Sequence, residues 1–316
     1  MATSTKKKKK KKRQPQPAPA RRAPASAPRH RPRWLPWAVG LIAFALAVAV
    51  TISQRNASKP PAAPAQGLPD TPDYHSLMVS STNPQHILLG THVGIYASSD
   101  GGRVWHFQSL GGKDAMNLAR PGGATVWMAG HQVMAKSPDG GKTWKSARPA
   151  GLPSYDVHGF AASPRDGTLY AAVNGRGLFR STNGGTSFNQ VSADVGGSVM
   201  ALAIRSDGSI WAGDMQQGLL ASRNGGKSWT RLLNAQLMGL AVNPHDPQRI
   251  IATGPGILLS TDGGISWRRT LNLSQGAGPV AWAPSDKELA YVVGFDRNLY
   301  RSRDGGITWQ PVAAGG

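Results

Sequence analysis

The chain has 316 residues, with 39 glycines, 24 prolines and no cysteine, and its 36 Lys/Arg against 16 Asp/Glu give a net charge of +20. The lack of cysteine excludes disulfides and thiolate metal sites, and the glycine and proline content points to a loop-rich chain. The charge is uneven: residues 1–52 hold 13 Lys/Arg and no acid, leaving 23 basic and 16 acidic groups, a net of +7, for the rest.

Residues 1–33 run from Lys6–Lys12 into Pro/Ala-rich sequence with scattered arginines. Nothing there builds a core, and the segment is read as a disordered polybasic cytoplasmic tail. Residues 34–52, from Trp34 to Ile52, form a 19-residue stretch without a charge, long enough for a transmembrane helix. Trp34 and Trp37 suit the headgroup interface, and the basic flank keeps the N-terminus cytoplasmic. The tail then lies against anionic lipid of the inner leaflet. A cleaved signal peptide is disfavoured by the long basic leader. Residues 53–74 carry Pro60, Pro61, Pro64, Pro69 and Pro72 and read as a Pro-rich linker, on the order of 50 Å long if extended. The expected location is the cell membrane of a bacterium, single-pass, with the rest of the chain extracytoplasmic.

From residue 75 to 316 one pattern recurs six times: Ser-x-Asp/Asn-Gly-Gly-x-x-Trp/Phe, starting at Ser98, Ser137, Ser181, Ser222, Ser260 and Ser302. Starts are 39, 44, 41, 38 and 42 residues apart, the period of one four-stranded propeller blade. Asp-Gly or Asn-Gly between runs of β-formers marks a hairpin, since the turn needs the positive φ that glycine reaches freely. The side chains of Asp100, Asp139, Asn183, Asn224, Asp262 and Asp304 are expected to accept backbone N–H bonds and hold each turn closed. Trp105, Trp144, Phe188, Trp229, Trp267 and Trp309 then pack between blades. These boxes read as structural. Strands can be laid out in fours; blade three is expected as Val157–Ala162, Thr168–Val173, Gly177–Arg180 and Ser187–Val191. Six blades use up the sequence, giving an all-β six-bladed propeller that begins on a first strand and ends on a fourth. The ring is therefore expected to close without an interlocking strand, with Leu68–Tyr74 as a supplement.

The motif resembles the Asp-box, or BNR, repeat of sialidases, sortilin-type ectodomains and photosystem II stability/assembly factors. The resemblance spans roughly residues 75–316 and implies the propeller fold; one fold hosts many functions. The sialidase branch implies an arginine triad, a tyrosine nucleophile assisted by a glutamate, and an early Arg-Ile-Pro motif. No Arg-Ile-Pro occurs here, and the only glutamate, Glu288, reads as a surface turn residue.

Two sets of residues remain as candidate sites. Aligning the innermost strands places His75, Met116, His158, Met200 and Met238 in one column around the hub, a set that would suit a soft metal such as copper(I); methionines filling gaps between blades are the plainer reading. The loops between second and third strands carry His92, His131, Arg176, Asp214, Gln216 and Arg297 on the face where propellers bind ligands; ordinary solvated loops are the plainer reading. No catalytic residue and no cofactor is implied, and whether a metal binds is left open. Aromatic residues fall mainly in boxes and buried strands, so no nucleic-acid platform is indicated. The function expected is a non-enzymatic protein-binding or assembly module for a membrane or envelope complex. The alternatives are a glycan-active hydrolase and a His/Met metal-binding propeller.

Overall fold

A computed structural model describes residues 65–195 and 197–313. The expected tail (1–33), transmembrane helix (34–52) and first part of the linker (53–64) lie outside the described residues. Among the described residues no helix is long and apolar enough to cross a membrane.

After a short strand, β1 (Ala65–Gln66), the chain forms six antiparallel sheets in succession. Blade one is β2 (Tyr74–Val79), β3 (Ile87–Thr91), β4 (Gly94–Ser98) and β5 (Val104–Ser109). Blade two is β6 (Asn117–Gly122), β7 (Thr125–Gly130), β8 (Val133–Ser137) and β9 (Lys145–Ser146). Blade three is β10 (Val157–Ala162), β11 (Leu169–Val173), β12 (Gly177–Ser181) and β13 (Asn189–Ser192). Blade four is β14 (Val199–Ile204), β15 (Ile210–Asp214), β16 (Gly218–Ser222) and β17 (Thr230–Leu233). Blade five is β18 (Gly239–Val242), β19 (Ile250–Thr253), β20 (Ile257–Ser260) and β21 (Arg268–Leu271). Blade six is β22 (Ala277–Ala283), β23 (Asp286–Gly294), β24 (Leu299–Ser302) and β25 (Gln310–Pro311). Second and third strands are buried almost throughout, and most fourth strands are largely exposed. Apolar runs thus fill blade centres, while polar fourth strands face water.

Each box is a turn between third and fourth strands, closed by its own side chains. In blade five, Asp262 Oδ1 accepts the N–H groups of Ile265 (3.1 Å) and Ser266 (2.9 Å). The box serine does more than its place in the pattern suggests. Ser260 Oγ donates to Asp262 Oδ1 and accepts the Gly264 N–H, both at 2.8 Å, and all six box serines make this pair of bonds. Both box glycines have positive φ in every blade. The second also abuts the preceding blade: a Cβ on Gly102 would strike Leu299, on Gly141 Leu88, on Gly185 Trp127, on Gly226 Leu178 and on Gly264 Trp211. Glycine is thus required there twice over, by backbone conformation and by close approach.

The core is six wedges, each shared by consecutive blades. Met78, Leu88 and Ile95 of blade one meet Val126 and Met128 of blade two, and the pattern repeats around the molecule. The sixth wedge closes the ring: Leu77, Leu89 and Trp105 of blade one pack with Leu289, Tyr291 and Leu299 of blade six. Each fully buried large apolar side chain contributes about 1.5–3 kcal/mol. Trp105, Phe188 and Trp309 are buried in such wedges; Trp144, Trp229 and Trp267 are partly exposed against theirs.

The start of the folded unit differs from the expectation. β1 adds a fifth strand to the outer edge of blade one, antiparallel to β5, with Ala65 opposite Trp105 and Gln66 opposite Val104. Residues 65–74, assigned above to the linker, therefore run along the propeller. Tyr74 Oη donates to Pro69 O at 2.7 Å, and Asp70 pairs with Arg297 of blade six at 2.7 Å. Two paired residues in proline-rich sequence carry no periodic signal, which is why this strand was not legible.

Candidate functional site

The first strands begin, and the second strands end, on one face of the propeller; the boxes lie on the other. On the first face, the pairing of first and second strands slips by one residue at His75, His158 and Met200, which have no partner in the ladder. Such bulges re-aim side chains and are frequent beside sites. His92 and His131 lead two-residue hairpins between β3 and β4 and between β7 and β8. The residue after His131, Gln132, holds a φ of +54°, a left-handed conformation uncommon for a non-glycine residue.

These four histidines, half of the eight in the chain, gather around three aspartates. Asp114 lies among three of them: its Oδ1 is 3.5 Å from His75 Nε2, and its Oδ2 is 3.0 Å from His92 Nδ1 and 2.9 Å from His131 Nδ1. His92 Nε2 is 3.2 Å from Asp73 Oδ2. His131 Nε2 is 3.2 Å from His158 Nε2, and Asp156 Oδ1 is 3.3 Å from the latter and 3.8 Å from the former. The Asn174 amide donates to Asp156 Oδ2 at 2.9 Å. Despite this crowding, both Asp114 oxygens, His75 Nε2 and Asp156 Oδ1 are buried without a hydrogen bond of good geometry.

The charges respond to one another. Burial pushes His75 down to about 4 and lowers His158. Contact with Asp114, then with Asp73, raises His92 to about 9, and Asp114 raises His131. Asp73 is lowered chiefly by His92. Burial alone would raise Asp114, yet His131 and His92 outweigh it and hold the carboxyl well below the usual carboxylate range. Neither Asp73 nor Asp114 is poised to give up a proton near neutral pH.

Met116 is buried, and Met200 and Met238 are partly exposed; the ligating groups gathered beside His75 and His158 are aspartates and other histidines. Asp214 is buried and holds its own turn, accepting from Ser198 Oγ and from the N–H groups of Gln216 and Gln217. Gln216 and Arg176 are exposed, and Arg297 is engaged with Asp70. Asp73 and Asp114 were missed by the reading above, although a signal existed. Asp73, Asp114 and Asp156 each stand two residues before a column position, at His75, Met116 and His158. Glu288, read as a surface residue, is part-exposed and pairs with Arg249 at 3.1 Å.

The box face carries a second feature. A cleft between blades four and five is lined by Arg205, Trp211, Arg223, Arg231, Leu232 and Ile265, with Asp207 as its only acidic side chain. Leu232 (39% exposed) and Ile265 (87%) are two of the four exposed large apolar residues among those described. The Arg205 guanidinium lies 5.2 Å from the centre of the Trp211 ring.

The model of the BNR/Asp-box repeat matches residues 300–311, which enclose the sixth box. A comparison with curated proteins found no match. Solved structures of similar fold include YCF48 from Cyanidioschyzon merolae, at 19% identity and a TM-score of 0.52 over 79% of this chain and 88% of that one. They include YCF48 bound to D1 peptide, at 20% and 0.53 over 81% and 86%. The GH74 xyloglucanase from Xanthomonas campestris is 18% identical with a TM-score of 0.55 over 81% of this chain, which spans 47% of that enzyme. These likenesses concern the fold: the chain is a six-bladed β-propeller, and its sixth box matches the Asp-box repeat.

Proposed function

We propose that the chain is a membrane-anchored, extracytoplasmic, non-enzymatic module that binds protein and helps assemble a membrane or envelope complex. The cleft between blades four and five carries this reading. Exposed apolar side chains flanked by arginines are the anchors from which protein interfaces are built. Three arginines against one aspartate favour a partner segment that is acidic and apolar. The uncharged stretch from Trp34 to Ile52 behind a basic tail supports the anchor. YCF48, of similar fold, has a structure bound to D1 peptide, and that likeness supports a peptide partner here. Glycan hydrolysis is the weaker reading. A general acid needs a raised pKa, and Asp73 and Asp114 at the hub mouth are both lowered.

Affinity capture of the full-length chain from its own membranes, in parallel with Ile265→Asp, tests the reading. A partner set retained by the parent and lost by the variant is expected. Equal capture by both would refute the role of the cleft. Glycan turnover by the purified chain would refute the non-enzymatic reading.

A further inference from the structure

We propose that the hub mouth, on the face opposite the cleft, is a metal centre that binds a first-row divalent ion of the Zn²⁺ class through His131 Nε2, His158 Nε2 and Asp156 Oδ1. The three ligand atoms form a triangle with sides of 3.2, 3.3 and 3.8 Å. Metal–nitrogen and metal–oxygen bonds of about 2.0–2.2 Å at tetrahedral angles require ligand–ligand separations of roughly 3.3–3.6 Å. The triangle therefore takes an ion with shifts of a few tenths of an ångström. Two imidazole nitrogens facing each other at 3.2 Å are otherwise a poor arrangement, since one must donate to the other while Asp156 Oδ1 stays unpaired. An ion satisfies all three atoms together.

The surroundings match what metal ligands require. Neighbouring carboxylates and amides commonly orient such ligands by their far atoms. Asn174 holds Asp156 Oδ2, leaving Oδ1 aimed at the triangle. Asp114 stands 2.9 Å from His131 Nδ1, the nitrogen remote from the triangle. It is nine-tenths buried. The Asn117 amide donates to the backbone carbonyl of His158 (3.2 Å), and its Oδ1 accepts the Phe160 N–H (3.1 Å), anchoring the bulge that presents His158. His131 is nearly half exposed at its hairpin tip, which leaves an entry path and a position open to water or a further ligand. Asp73, His75 and His92 form a second group of ligating atoms within 4.8 Å of one another, linked to the first by Asp114, which contacts His75, His92 and His131. Imidazole and carboxylate select a borderline divalent ion; the thioethers that favour copper(I) are not in the triangle.

The full-length chain, stripped with chelator, is titrated with ZnCl₂ by calorimetry and with CoCl₂ by visible absorption. Saturable Zn²⁺ binding is expected, with cobalt bands of a four- or five-coordinate site containing histidine nitrogen. His158→Ala and Asp156→Asn are each expected to weaken the tightest step at least about 100-fold, and Asn174→Ala about 10–100-fold. His245→Gln, remote from the triangle with its Nε2 on Pro284 O, leaves binding unchanged. Circular dichroism and the thermal midpoint check that each variant folds; should His158→Ala unfold, His131→Gln at the exposed tip replaces it. Absence of saturable binding, or binding equally tight in the folded triangle variants, overturns the proposal. Neither result bears on the cleft, which lies on the other face.

Discussion

Replacing Ser260 by alanine tests the mechanism that closes every box. Ser260 is 1% exposed; its hydroxyl accepts the buried Gly264 N–H and donates to Asp262 Oδ1, both at 2.8 Å. Alanine leaves the N–H without a partner and without access to water, a cost of about 1–3 kcal/mol. For a domain of this size each kcal/mol lowers the thermal midpoint by about 2–4 °C, so the central expectation is a fall of roughly 4–8 °C. The control is Ser266→Ala, one turn further along. Its hydroxyl bonds the other carboxylate oxygen, Asp262 Oδ2, at the exposed side of the turn, where water can take its place, so a smaller loss than from Ser260→Ala is expected. Unfolding of the full-length chain, followed by tryptophan fluorescence, reads both. Equal midpoints for the two variants, or a larger loss from Ser266→Ala, would refute the assignment of the box serine as the buried support.

Two further outcomes follow from the fold. Trp105→Ala removes the largest side chain of the wedge joining blades six and one; a loss of about 3–5 kcal/mol, read by urea unfolding, is expected, and a loss under about 1 kcal/mol would mean that the ring is not closed through this wedge. Acid should loosen the boxes unequally: Asp139 and Asp262 are held at about 2, chiefly by the hydroxyls of Thr143 and Ser266. At Asp304 the opposing effect of burial is outweighed by Thr308 and its neighbours, and it too is held at about 2. A carboxylate depressed in the folded state stabilises fully above its unfolded pKa near 4, and that contribution is lost as pH falls toward 2. Asn183 and Asn224 do not titrate, so hydrogen exchange, corrected for its intrinsic pH dependence, should rise between pH 4 and 2 in the turns of blades two, five and six before those of three and four; uniform loosening would refute this.

The fold was legible because each box concentrates several constraints into eight residues: two glycines with positive φ, a capping Asp or Asn and an aromatic residue, repeated six times. Strand ends fell within a few residues of those observed, blade three nearly residue for residue. The site was half legible. His75 and His158 stood out as column positions, but column alignment does not reveal that each occupies a bulge, since a bulge is a property of pairing with the next strand. Asp114 went unremarked because one aspartate in a loop has no local pattern; its meaning comes from His92 and His131, on two different hairpins. The cleft was not legible at all. Arg205 and the Ile265 turn are some 60 positions apart and meet only because blade five docks its box on Trp211 of blade four.

The central claim, a protein-binding ring used from its box face, is tested most directly by photo-crosslinking in cells. A crosslinking amino acid is placed in the full-length chain at Leu232 or Ile265 in the cleft, or at Arg176 or Gln216 on the hub face. The account predicts a discrete crosslinked product, of the same partner, from both cleft positions and not from the hub positions. Crosslinks from the hub face alone, or none from Leu232 and Ile265, would contradict it.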